Sequence, residues 1–287
     1  MVDNKKIQYR VTPKVTISDV SQIKVYEGDR EIAVASLSTL GRSAAMGYIE
    51  TAEELDLSKN YRIAIEGYGE KPVVPTTIFD SEAFAQQYHY DGDDLGAVIH
   101  GDKTTFKVWA PTASKIVLNL YTAGNGGENF ANIEMVKGEH GVWSHTQPDC
   151  GHGVYYTYTA TTSAGTQVAT DPYAKAAGVN GDRSMVVDLS LTDPADWEAD
   201  RVVTLQRYTD AVIWEVHVRD FSNKIAGSQY PGKYLAFTET GLVNEHGKAV
   251  GVDYLKELGI THVHLLPVYD YATVNEASTA AEFNWGY

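Results

Sequence analysis

The chain has 287 residues and a formal net charge of −15, with 38 acidic against 23 basic side chains. At 43% hydrophobic and 21% charged it has the make-up of a globular protein, and its length suits two ordinary domains or one large one. A nucleic-acid backbone or an anionic membrane surface would repel the excess of carboxylates, so neither is an expected partner, whereas a neutral ligand is indifferent to it.

Cys150 is the single cysteine, which excludes an intrachain disulfide and a cysteine-based zinc knuckle. The opening MVDNKKIQYR holds no apolar stretch that reads as a signal peptide, and no run of about 18 apolar residues occurs anywhere. A soluble protein is expected, cytoplasmic or secreted.

Residues 1–75 alternate like strands. Ile23 and Val25, then Ile63 and Ile65, place apolar side chains at period two, and polar turns separate the runs. Leu57–Tyr61 (LSKNY) has the outline of a tyrosine corner, a feature of immunoglobulin-like sandwiches, and Thr51–Leu57 reads as a short turn of helix. A small β-sandwich is predicted here. Residues 76–93 then form a connector with a Tyr88-His-Tyr90 patch and an acidic turn at Asp91-Gly-Asp-Asp94. That turn lacks the distant bidentate glutamate of an EF-hand loop, so it reads as solvated.

A second sandwich is predicted over residues 94–191. Its strands are Thr105–Trp109, Lys115–Tyr121, Trp143–Thr146, Val154–Thr161 and Met185–Leu189, with glycine-rich loops between them. Tyr155, Tyr156 and Tyr158 put aromatic rings on both faces of one strand, and core packing is the expected role. After a polar linker over 192–210 the pattern changes. Ala211–Val218 reads as a strand, Val252–Leu258 as an amphipathic helix stopped by Gly259, and Thr261–Pro267 as a second strand. Strand, helix and strand make a βαβ unit, which implies a parallel sheet.

Few residues suggest chemistry. There is no glycine-rich phosphate loop and no G-x-S-x-G elbow. His262 and His264 share one face of a strand, as metal-binding pairs do, but no third ligand stands at an obvious companion spacing, so packing is the plainer reading. His145, Cys150 and His152 have metal-like content without a spacing that fixes geometry, and read as surface loops. Glu215 and Asp220 flank His217 and Arg219, where a buried Glu215–Arg219 ion pair is expected.

Longer segments carry a resemblance. AVIWEVHVRDFS at 211–222, GKYLAFTET at 232–240, GVDYLKELGITHVHLLPVYDY at 251–271 and FNWGY at 283–287 resemble consecutive blocks of bacterial type I pullulanases. These are starch-debranching glycoside hydrolases of the α-amylase superfamily. FKVWAP at 106–111 and DPYAKAAGVNG at 171–181 resemble the starch-binding-type sandwich that precedes the barrel in pullulanases, isoamylases and branching enzymes. Phe283 stands where the pullulanase pattern has tyrosine.

The resemblance implies a mostly β chain: two immunoglobulin-like sandwiches, then the first two β/α units of a (β/α)₈ barrel over 211–287. It further implies retaining cleavage of α-1,6-glucosidic branches in pullulan, amylopectin and limit dextrins by two carboxylates about 5 Å apart. A barrel needs about 250 residues, so the family's catalytic blocks are expected beyond residue 287, and no residue here is matched to them. Tyr287 matches the tyrosine that stacks on the glucose beside the scissile bond, and Trp285 and Asn284 match its supporting segment. The partners implied are an α-glucan and the remaining barrel. No organic cofactor is implied; calcium is common in the superfamily, without an assignable ligand here. A branching enzyme or isoamylase, a non-catalytic glucan-binding protein and a metal-dependent barrel hydrolase are the alternatives.

Overall fold

The computed structural model describes residues 1–12, 16–40, 45–202, 204–269, 271–278 and 282–283. They form two units, Met1–Leu189 and Ser190–Tyr287, and the chain is mostly β with several antiparallel sheets.

The first unit opens with seven strands: β1 (Lys6–Arg10), β2 (Ile23–Glu27), β3 (Arg30–Ile32), β4 (Val34–Leu40), β5 (Met46–Thr51), β6 (Tyr61–Ile65) and β7 (Gly69–Val73). They pair as two antiparallel sheets, β1-β5-β4 and β3-β2-β6-β7. The period-two residues do what alternation dictates: Ile23, Val25, Ile63 and Ile65 are buried in one core with Ile7, Tyr9, Ile32 and Ile49. The tyrosine corner is present. Buried Tyr61 accepts a 2.8 Å hydrogen bond at its hydroxyl from the Asp56 backbone N–H, five residues upstream.

Thr51–Leu57 is not helical. Thr51 closes β5 and its hydroxyl donates to the carbonyl of Glu53 at 2.7 Å, while the Leu55 N–H donates to Asn4 at 2.7 Å. Leu55 and Leu57 both enter the core, a spacing of two that an extended segment satisfies and one helical turn does not.

The connector instead contains a helix. Ser81 caps α1 (Glu82–Tyr88) by accepting from the Phe84 N–H at 3.1 Å, and Tyr88 joins the first core. Nine strands follow: β8 (Gly96–His100), β9 (Lys103–Trp109), β10 (Lys115–Tyr121), β11 (Ala131–Glu134), β12 (Val136–Lys137), β13 (Val142–Pro148), β14 (Tyr155–Thr162), β15 (Gly165–Ala169) and β16 (Ser184–Met185). One sheet runs β11-β10-β14-β15 with β16 also on β14, and the other runs β12-β13-β9-β8. Tyr156 and Tyr158 face the second core, where Phe106 meets Tyr156 edge-on at 4.9 Å. The predicted Met185–Leu189 strand stops at Met185, although Val186 still donates to the Val154 carbonyl at 2.8 Å.

In the second unit β17 (Ile213–Val216) and β18 (His262–Leu265) pair in parallel, with α2 (Val218–Ser222) and α3 (Val252–Glu257) on the connection. The first strand is shorter than predicted. His217 ends it by accepting the Arg219 N–H at Nδ1 over 3.2 Å, which starts α2. Phe221 then stacks on Phe237 at 4.1 Å. No helix among the described residues is long and apolar enough to cross a membrane.

Candidate functional site

Parallel pairing sets Glu215 opposite His264, and the carboxylate lies 3.1 Å from His264 Nδ1. This replaces the expected buried pair of Glu215 with Arg219. Both partners are well exposed, at 61% and 64% of the side chain, and Arg219 has left the strand for α2. The acidic companion that spacing did not reveal for the two histidines is therefore Glu215, supplied by strand register. The neighbouring His262 is engaged differently, with Nδ1 2.8 Å from the Thr261 hydroxyl. No group of three metal-type ligands exists among the described residues.

The trio His145, Cys150 and His152, expected in surface loops, is otherwise placed: His145 lies on β13 and Cys150 is buried in the second core. His145 Nε2 lies 3.2 Å from Gln147 Oε1, His152 Nδ1 accepts from the Asp188 N–H at 3.1 Å, and the Cys150 carbonyl accepts from Thr104 at 2.6 Å. Burial pushes the Cys150 thiol above its ordinary pKa, the opposite of an activated nucleophile. In the acidic turn Asp94 is held by Lys107 and by the Tyr90 hydroxyl, which keep its carboxyl below the usual range. Asp91 and Asp93 remain exposed.

Asp171 belongs to no motif or spacing that marks a functional residue. It is a buried carboxylate in the second core, accepting from the Tyr173 N–H at 2.9 Å and the Tyr156 hydroxyl at 2.8 Å, with the Tyr158 hydroxyl at 3.4 Å. Desolvation raises its pKa, and these three donors offset part of the rise. The signal was available as an Asp-Pro dipeptide just after β15, one strand beyond β14, whose Tyr156 and Tyr158 point inward. Its place is architectural: it ties β14 to the segment leading into β16. The predicted site residues Asn284, Trp285 and Tyr287 lie outside the described residues.

Comparison with known proteins supplies the context for this geometry. Residues 94–174 match carbohydrate-binding module 48, the isoamylase N-terminal domain. The chain is 39% identical over 211 residues to a pullulanase of Bacillus subtilis, covering 73% of this chain and 28% of that protein. Among solved structures, a pullulanase from Bacillus acidopullulyticus superposes with a TM-score of 0.82 at 27% identity, covering 96% of this chain and 47% of the other. Pullulanase from Anoxybacillus sp. LM18-11, solved with maltotetraose, gives 0.76 at 30% identity, covering 96% and 38%. The chain thus spans under a third of that curated relative and less than half of each solved chain. Over most of its length it is similar to bacterial pullulanases, and residues 94–174 carry a carbohydrate-binding module 48.

Proposed function

We propose that this chain is the N-terminal, glucan-holding region of a pullulanase-type debranching enzyme. The whole protein would hydrolyse α-1,6 links in pullulan, amylopectin and limit dextrins by retaining double displacement, with its catalytic carboxylates outside this sequence. The supporting observation is the superposition on pullulanases along 96% of the chain. In this reading residues 1–75 and 94–191 are two sandwich modules joined by 76–93, and 211–287, after a linker at 192–210, opens a (β/α)₈ barrel. The parallel β17–β18 pair with helices on its connection suits the first two β/α units.

Tyr287 would stack on a glucose ring at the barrel mouth, supported by Trp285 and Asn284. An α-glucan is neutral, so binding by stacking and hydrogen bonding is compatible with the charge of −15. The remaining barrel is the partner of residues 211–287, and neither nucleic acid nor membrane is one. The chemistry requires no organic cofactor; calcium would enter as a structural ion of the whole enzyme.

Expression of the longer protein tests this. Hydrolysis of pullulan to maltotriose, with the released anomer first appearing in the retained configuration, is expected. Transfer of glucan chains without pullulan hydrolysis would favour a branching enzyme. Isoamylase would cleave glycogen branches and spare pullulan, and starch retention without hydrolysis would favour a non-catalytic binding protein.

A further inference from the structure

We propose that a groove between α1 and the 94–174 module binds a segment of α-glucan chain, so that the binding surface is shared by residues inside and outside the module. The proposal rests on the reading of this chain as part of a glucan-processing enzyme. The groove has a volume of about 460 Å³ and is lined chiefly by Phe79, Phe84, Tyr88, Tyr90, Trp109 and Tyr173. That size falls within the usual range of small-molecule sites, about 300–1,000 Å³.

The rings form a connected series. Phe79 meets Phe84 edge-on at 5.4 Å, and Phe84 in turn contacts Tyr88 at 5.1 Å and Trp109 at 6.2 Å. Trp109 is fixed in place, because its indole N–H donates to the carbonyls of Tyr88 at 2.9 Å and His140 at 3.0 Å. With that polar atom satisfied, the indole has only carbon left to offer a ligand. The groove is open to solvent, and Phe79 on its wall is 44% exposed.

The polar rim decides the occupant. Tyr90 carries its hydroxyl against the ionised Asp94, which Lys107 also holds, and His89 stands exposed beside it. Aromatic faces accompanied by the Tyr90 hydroxyl and the His89 imidazole suit a pyranose, whose C–H face stacks while its hydroxyls reach polar groups. A lipid chain would leave the Tyr90 hydroxyl and the His89 imidazole facing hydrocarbon, at a cost. An anion would meet Asp94 and a chain of charge −15. Leu95, Trp109 and Tyr173 lie within the carbohydrate-module match, whereas Phe79, Phe84, Tyr88 and Tyr90 precede it.

Affinity electrophoresis of the 287-residue chain through gels containing soluble pullulan tests the site, with Phe79→Ala, Ala85→Gln and, as a control on exposed β12, Val136→Ala. Phe79→Ala removes an exposed ring, and Ala85→Gln fills the groove from an exposed helix position, so a thermal midpoint close to wild type is expected for both. Retention weakened about tenfold in both, with Val136→Ala unchanged, is the expected result. If Phe79→Ala misfolds, Ala85→Gln decides alone. Wild type and both groove variants retained equally would overturn the groove while leaving the proposed function standing. A wild-type chain that pullulan does not retard would overturn both.

Discussion

The Tyr156 hydroxyl donates a 2.8 Å hydrogen bond to the Asp171 carboxylate inside the second core, where Tyr156 is fully buried and Asp171 nearly so. Burial raises the Asp171 pKa above its ordinary value and also drives the two tyrosines upward, so the cluster favours a neutral state. A carboxyl whose folded pKa exceeds its unfolded one destabilises the fold on ionising. Its penalty is absent below the unfolded pKa, grows as pH rises towards the folded value, and is constant above that. Asp171→Asn removes the titration. Relative to this variant, wild type should lose stability as pH rises above the ordinary carboxylate range of about 4, as read from urea unfolding at several pH values. A difference that does not vary with pH would contradict the assignment.

Tyr61→Phe tests the corner at the first core. The variant keeps the buried ring but leaves the Asp56 N–H without its 2.8 Å acceptor. A loss of about 1–2 kcal/mol is expected in the urea transition of this region, because an unpaired donor costs more than the net worth of its hydrogen bond. No change in the midpoint would mean that water takes over the N–H at no cost.

Metal chelation should leave the 287-residue chain unaffected. His264 is engaged by Glu215 and His262 by Thr261, while Asp94 is taken by Lys107 and Tyr90. Thermal midpoints measured with EDTA, with calcium and with zinc should coincide; a shift of several degrees with either ion would reveal a site. The exposed Glu215–His264 pair is also energetically minor, and Glu215→Gln should change stability by less than about 1 kcal/mol.

Gly178→Ala should destabilise the fold by about 1–3 kcal/mol. A Cβ there would sit 2.5 Å from the Gly124 carbonyl oxygen and 2.7 Å from its Cα, so two loop backbones would have to separate. Calorimetry of the variant reads the shift, and an unchanged midpoint would mean the loops part freely.

The strands of the antiparallel sheets were legible because a strand with one buried face writes its period into the sequence, as Ile63 and Ile65 or Lys115–Tyr121 do. Helix α1 was not read, although Ser81 is a standard cap, because seven residues with aromatics at 84 and 88 give too short a pattern. The strand predicted to reach Val218 was overextended, since nothing local announces that His217 turns its ring back onto the Arg219 N–H. Glu215's partner was unreadable for another reason. It depends on the register of two strands almost fifty residues apart, which only the folded connection sets. The expected role of Asn284, Trp285 and Tyr287 follows from resemblance alone, and these residues lie outside the described ones.

Isothermal titration of the 287-residue chain with pullulan, with reducing ends assayed in the same sample, bears most directly on its role. Heat of binding without new reducing ends is the result expected of a glucan-holding region whose catalytic carboxylates lie elsewhere. No heat at all would contradict glucan binding, and new reducing ends released by this chain alone would contradict the placement of catalysis outside it.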